Sequence, residues 1–136
     1  MDRQHEKFIL LVDDNLTDLR SLKQLLDHLG YPVVSTDDPH DALTIFRARP
    51  GNFDLIITDQ FLPGMKGHEL AAHLHAIRKD IPVILCSGCE ETLLELQEQG
   101  SDINEFMLKP FSKSELVDAI QRVRRRDSLL SFVDAL

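Results

Sequence analysis

Cysteine is scarce in this chain: only Cys86 and Cys89 occur among 136 residues. Stability must therefore come from a buried apolar core, and a chain of this length can form one as a single domain without covalent staples. Long apolar runs are missing too. The longest, Phe8 to Val12, falls far short of the roughly 20 residues that cross a bilayer, so no membrane-spanning helix is expected. Basic residues form the third deficit, with 15 Lys and Arg against 23 Asp and Glu and a formal net charge of −8. Nucleic acid and anionic membranes repel such a surface, which argues against direct binding to either and points to protein or metal partners. The opening Met-Asp-Arg-Gln-His-Glu-Lys has no secretory signal pattern, and a cytoplasmic location is expected.

What is present is ordinary for a soluble globular protein, with 43% hydrophobic and 28% charged residues. Phe8-Ile-Leu-Leu-Val12 is continuously apolar and suits a strand covered on both faces of a parallel sheet. Leu16, Leu19, Leu22, Leu25, Leu26 and Leu29 then recur at helical spacing, with Gly30 placed as a C-terminal glycine. Pro32 to Ser35 reads as a second strand, and Asp38-Pro39 opens a second helix striped by Ala42, Ile45 and Phe46. Phe53 to Thr58, Val83 to Cys86 and Glu105 to Leu108 are the remaining strands. The helices between and after them are marked by Leu70, Leu74 and Ile77, by Leu93, Leu94 and Leu96, and by Leu116, Ala119, Ile120 and Val123. Ser112 or Ser114 is positioned to cap the last of these. Strand and helix alternate throughout, with no linker or internal repeat, which implies an α/β fold in which a parallel sheet carries helices on both faces.

In open sheets of this class, ligands bind beyond the carboxyl ends of the strands. The first strand ends in Asp13-Asp14, the third in Asp59, the fourth in Ser87 and the fifth in Lys109-Pro110. Each has a structural explanation alone: Asp14 or Asn15 as a helix cap, Asp59 at a turn, Ser87 as another cap. Together they place three acids, a hydroxyl and an ammonium at one rim, where clustered carboxylates require a cation. Mg²⁺ suits them, because it takes a few carboxylate oxygens and accepts phosphate oxygens in its remaining positions. Asp59 can then act as a phosphoryl-accepting nucleophile, with Lys109 and Ser87 donating to phosphoryl oxygens.

From about Lys7 to Arg124 the chain resembles the receiver domain of two-component response regulators. The resemblance rests on Asp13-Asp14, Asp59-Gln-Phe-Leu-Pro-Gly-Met-Lys-Gly67, Ser87-Gly88 and Lys109-Pro110-Phe111, in that order. It implies a three-layer αβα, flavodoxin-like fold with a doubly wound five-stranded parallel sheet in the order 2-1-3-4-5. It also implies that Asp59 is phosphorylated by a sensor histidine kinase or histidine phosphotransfer protein in a Mg²⁺-dependent reaction. Asp14 and the backbone carbonyl of Phe61 would bind the ion with Asp59, Asp13 would act largely through water, and Lys109 would contact the phosphoryl group. The peptide before Pro110 would be cis. Ser87 and Phe106 would form the switch toward a downstream protein target. Phe106 lacks a tyrosine hydroxyl, so its movement would rest on packing. Phe61 and Cys89 would flank the phosphorylation site.

The receiver is expected to span residues 1–126, free-standing or as part of a hybrid kinase, and to be a monomer or weak homodimer. Residues 127–136 form an extension in which Leu129, Phe132, Val133 and Leu136 match an amphipathic helix. That stripe can be covered by its own domain, a second copy or a connection to something further. Arg122, Arg124, Arg125 and Arg126 read as a solvated helix end complementing the dipole. Of the six histidines, His73 and His75 are two apart on a helix and read as surface residues, not ligands. Other classes leave fewer marks. An aspartate-nucleophile phosphatase needs a second aspartate where Asn15 stands, a redox module would use Cys86 and Cys89, and a degenerate receiver would only bind partners.

Overall fold

Ile9 to Val12 need covering on both faces, and the fold supplies a layer for each. The computed structural model describes residues 7–136, and beyond Arg126 it describes side chains only at Val133 and Leu136. The elements run β1 (Phe8–Val12), α1 (Leu16–His28), β2 (Val33–Thr36), α2 (Pro39–Ala48), β3 (Phe53–Asp59), α3 (Gly67–Ile77), β4 (Val83–Ser87), α4 (Glu90–Gln99), β5 (Glu105–Leu108) and α5 (Lys113–Ala135). The strands form one parallel sheet in the order β2-β1-β3-β4-β5, as the resemblance implied. Strands β2, β3 and β4 each reach one residue further than their sequence patterns suggested, to Thr36, Asp59 and Ser87.

Alternation sorts the core into two layers. Ile9, Leu11, Leu55 and Ile57 pack with Leu19 and Leu26 of α1 and Leu116, Ile120 and Val123 of α5. Leu10, Val12 and Ile56 face the other way, onto Ala42, Leu43 and Phe46 of α2 and Leu70 and Leu74 of α3. Leu85, Leu93 and Leu96 make a smaller cluster under α4, with Phe106 packed beside it. Leu16 and Leu94, assigned to stripes by spacing alone, are half exposed.

The starts of α1, α2 and α5 follow their sequence signals, while α4 has Cys89 and not Ser87 at its N-cap. Asn15, not Asp14, caps α1, accepting from the Asp18 amide at 3.0 Å. Asp38 caps α2 with Pro39 in the first turn. Ser112 and Glu115 form a reciprocal capping box on α5. Gly30 and Gly100 take positive φ after α1 and α4, a conformation glycine adopts without steric cost.

The arginine run is not merely solvated. Arg122 and Arg126 both pair with Glu105 of β5, each at 2.9 Å. Arg124 reaches Asp54 at 3.1 Å and lies 4.8 Å from the Tyr31 ring centroid. These contacts tie α5 to the sheet, and the helix runs unbroken to Ala135. Val133 and Leu136 are exposed. The side chains of Leu129 and Phe132, and the opening residues 1–6, lie outside the described residues. No helix among the described residues is long and apolar enough to cross a membrane.

Candidate functional site

Register sets the site. Val12 pairs with Thr58 and Asp59 with Cys86, while the Lys109 amide donates to the Ser87 carbonyl at 2.8 Å. Strand ends that lie far apart in sequence therefore share one rim. Asp13, Asp14 and Asp59 each offer a carboxylate oxygen there, and these oxygens all lie within 4.8 Å of one another. Asp13 is buried, Asp59 half-buried and Asp14 exposed, so the group opens to solvent on one side.

Lys109 enters from the far edge. Its Nζ donates to Asp13 Oδ2 at 2.7 Å and lies 3.5 Å from Asp59 Oδ1 and 3.6 Å from Asp18 Oδ2. Asp13 Oδ1 also accepts from the Asn15 amide at 3.0 Å, which fixes that carboxylate from two sides. The peptide between Lys109 and Pro110 is cis. Burial pushes the Asp59 pKa above the usual carboxylate range; Lys109 opposes this and Asp13 reinforces it. For Lys109, burial alone favours the neutral amine, yet the hydrogen bond and charge of Asp13 and the charge of Asp59 outweigh it and raise the pKa. One ammonium thus faces buried Asp13, half-buried Asp59 and exposed Asp18, and the excess negative charge is what a divalent ion would balance.

The remaining expected residues have contacts of their own. Ser87 is fully buried at the end of β4, and its Oγ accepts from the Cys89 amide at 3.0 Å. Phe61 is 46% exposed, and the Lys66 ammonium lies 5.0 Å from its ring centroid. Phe106 is half-buried beside Leu85, Leu93 and Leu96.

Three neighbours were not legible in the sequence. Asp18 reaches Lys109 from the first turn of α1. Gln60 is buried and brackets His68: its Oε1 accepts from the His68 amide at 3.0 Å, and its Nε2 meets His68 Nδ1 at 2.8 Å. Gly67 lies against the backbone of Asp59, and an added Cβ would meet the Asp59 carbonyl oxygen at 2.2 Å. No local pattern marks these contacts, because that of Asp18 depends on how α1 docks on the sheet and those of Gln60 and Gly67 on how β3 meets α3.

The family model of the response regulator receiver domain matches residues 9–121. The chain belongs to the response regulator receiver domain family. It is 33% identical over 122 residues to the two-component response regulator ARR14 of Arabidopsis thaliana, covering 90% of this chain and 32% of that protein. It is 28% identical to the transcriptional regulatory protein ResD of Bacillus subtilis, covering 99% of this chain and 55% of that one. The chain thus spans about a third of ARR14 and about half of ResD. The receiver domain's structure is similar to that of a receiver domain protein from Clostridium thermocellum, at TM-score 0.82 and 28% identity, covering 91% and 98% of the two chains. The receiver domain of sensor histidine kinase PA1611 from Pseudomonas aeruginosa, whose structure has a magnesium ion in its active-site cleft, matches at TM-score 0.77 and 27% identity, covering 86% and 96%. As a receiver domain the chain is a phospho-accepting signalling module, and neither the phosphatase nor the pure binding-module reading is favoured.

The redox reading fails on chemistry. Burial pushes the Cys86 thiol up to about 12, which suppresses the thiolate that exchange requires. Cys89 is partly exposed, and hydrogen bonds with Thr92 lower its pKa. In native protein, a thiol reagent is expected to label Cys89 alone within minutes, with Cys86 reacting only after denaturation; intact mass after timed labelling reads the difference. His73 is exposed as expected, but His75 is half-buried, with Nε2 2.9 Å from the Ile81 carbonyl.

Proposed function

We propose that Asp59 takes a phosphoryl group from a phosphohistidine of a sensor kinase or histidine phosphotransfer protein, in a reaction that uses Mg²⁺ at Asp13, Asp14 and Asp59. The observation that carries this reading is the meeting of those three carboxylates with Lys109 at one sheet rim. An all-oxygen donor set with excess negative charge fits a hard divalent cation. When bound, the ion neutralises charge on the phosphoryl oxygens. The other tasks fall to the chain.

An Asp59 carboxylate oxygen attacks phosphorus, and the new O–P bond replaces the donor's N–P bond. The imidazole nitrogen leaves with the bonding pair and takes up a proton. Asp13, Asp14 and the Phe61 carbonyl would hold the ion with Asp59, Asp13 largely through water. Lys109, already charged and beside Asp59, donates to a phosphoryl oxygen. The Ser87 hydroxyl can donate to another while its oxygen still accepts from the Cys89 amide. A shift of Ser87 toward that group would let Phe106, already beside Leu85, Leu93 and Leu96, turn further inward, carrying the state to the surface of β4, α4, β5 and α5. The receiver assists its own phosphorylation and dephosphorylation in this way and is not a classical enzyme. Its output is a protein target, with no direct nucleic-acid contact, as the −8 net charge favours. It works in the cytoplasm as a monomer or weak homodimer, free-standing or within a hybrid kinase.

Incubation with Mg²⁺ and a small acyl phosphate should add one phosphoryl group per chain, read by intact mass, and chelation of the metal should prevent it. No uptake from any small donor or kinase would leave only a binding module. Turnover of many phosphate esters per chain would instead indicate a phosphatase.

A further inference from the structure

We propose that Asp18, in the first turn of α1, is a positioning residue for phosphotransfer: it shares Lys109 with Asp13 and Asp59 and so restrains the ammonium from the phosphoryl oxygens. The inference rests on the reading of Asp59 as phospho-acceptor. Lys109 Nζ stands 3.6 Å from Asp18 Oδ2 and 3.5 Å from Asp59 Oδ1, so two acids on different elements compete almost equally for one cation. Asp13, at 2.7 Å, holds the third side. An ammonium has three donors and can serve three acceptors at once. A phosphoryl group on Asp59 adds acceptors beside Asp59, and Lys109 must turn toward them. Asp18 pulls from the α1 side.

Placement supports the role. Asp13 and Asp59 belong to the sheet end and are largely buried, whereas the Asp18 side chain is 52% exposed and sits on a helix. The Asn15 cap bonds the Asp18 amide and fixes that first turn relative to the site. Asp18 and Lys109 together line a cleft of about 470 Å³ between α1 and the β5–α5 connection, floored by Leu22, Leu25 and Phe111. The restraint therefore lies where site and solvent meet, and neutralising Asp18 disturbs no core residue.

An acid in a first helical turn also complements the helix dipole, but that role would alter stability and not phosphorylation rate. The test compares initial rates of Asp59 phosphorylation by acetyl phosphate with Mg²⁺. Asp18→Asn should react about twofold to fivefold faster than wild type, the range expected of one half-exposed ion pair. Asp18→Glu should stay near the wild-type rate. A double variant, Thr17→Asp with Asp18→Asn, keeps the net charge but moves the carboxylate to the adjacent exposed position on α1; it should be as fast as Asp18→Asn. An unchanged or slower Asp18→Asn overturns the proposal, and so does a wild-type rate in the double variant, which would mean simple repulsion of the donor. A wild type that takes up no phosphoryl group would overturn the phospho-acceptor reading first, and this inference with it.

Discussion

Asp59→Asn will take up no phosphoryl group under conditions that fully load the wild type, a loss of at least 100-fold in initial rate by the 1.4 kcal/mol-per-decade conversion applied to ~3 kcal/mol or more. An amide oxygen carries no full charge and its nitrogen is no substitute for a carboxylate nucleophile, so the O–P bond cannot form. The same substitution should raise thermal stability in the absence of divalent ions. Burial, opposed by Lys109 and reinforced by Asp13, raises the Asp59 pKa above its unfolded value, so ionising this group costs more in the native protein than in the unfolded chain. Wild-type stability should accordingly increase as pH falls through the native Asp59 pKa, and the Asn variant, which has nothing to protonate there, should lack that component. Thermal melts of both proteins with and without Mg²⁺ check the pair of claims. A variant that still gains a phosphoryl group would assign acceptance to another residue, and an Asn variant less stable than wild type without metal would show that Lys109 outweighs burial.

Gly67→Ala will be the second large effect. A Cβ there would stand 2.2 Å from the Asp59 carbonyl oxygen and 2.9 Å from Leu85 Cδ1. The first neighbour is backbone and cannot rotate away, so either the β3 end or the start of α3 must move. Overpacking of this kind costs about 1–3 kcal/mol, at the upper end where backbone must yield. Because the displaced atom belongs to Asp59 itself, phosphorylation should slow even in the fraction that stays folded. Gly51→Ala is the comparison: nothing lies within 4 Å of an added Cβ there, and its unfolding midpoint should shift little. Denaturant unfolding and acetyl-phosphate kinetics on both variants decide the matter. Equal midpoints would show that the β3–α3 turn relaxes without cost.

The element order was readable because each signal is local. The Phe8–Val12 run is apolar at every position, and the structure buries Ile9 through Val12 between the two helical layers. Asp38-Pro39 announced α2, and Ser112 or Ser114 announced the start of α5, where the structure uses Ser112. Spacing alone was less reliable at Leu16 and Leu94, which continue a leucine pattern yet face solvent. Position along a stripe does not say how much of a helix the sheet covers. The arginines after Ile120 were misjudged for a related reason: charge near a helix C-terminus looks the same whether it meets water or Glu105 and Asp54.

At the site, the residue types and their order at the strand ends were enough to place Asp13, Asp14, Asp59, Ser87 and Lys109 at one rim of the sheet, since parallel strands linked by right-handed crossovers must all end on one side. Distance and competition were decided only in three dimensions. Lys109 and Asp13 bond across 96 positions of chain, and whether Asp18 joins them depends on how α1 docks on the sheet. The close approach of Gly67 to Asp59 and the buried clasp of Gln60 on His68 depend likewise on the angle at which β3 passes into α3. Local periodicity and capping act over a few residues, so they set which elements form and which residues terminate them. Register and helix docking come from packing the whole core at once, and these choose which side chains meet at the rim.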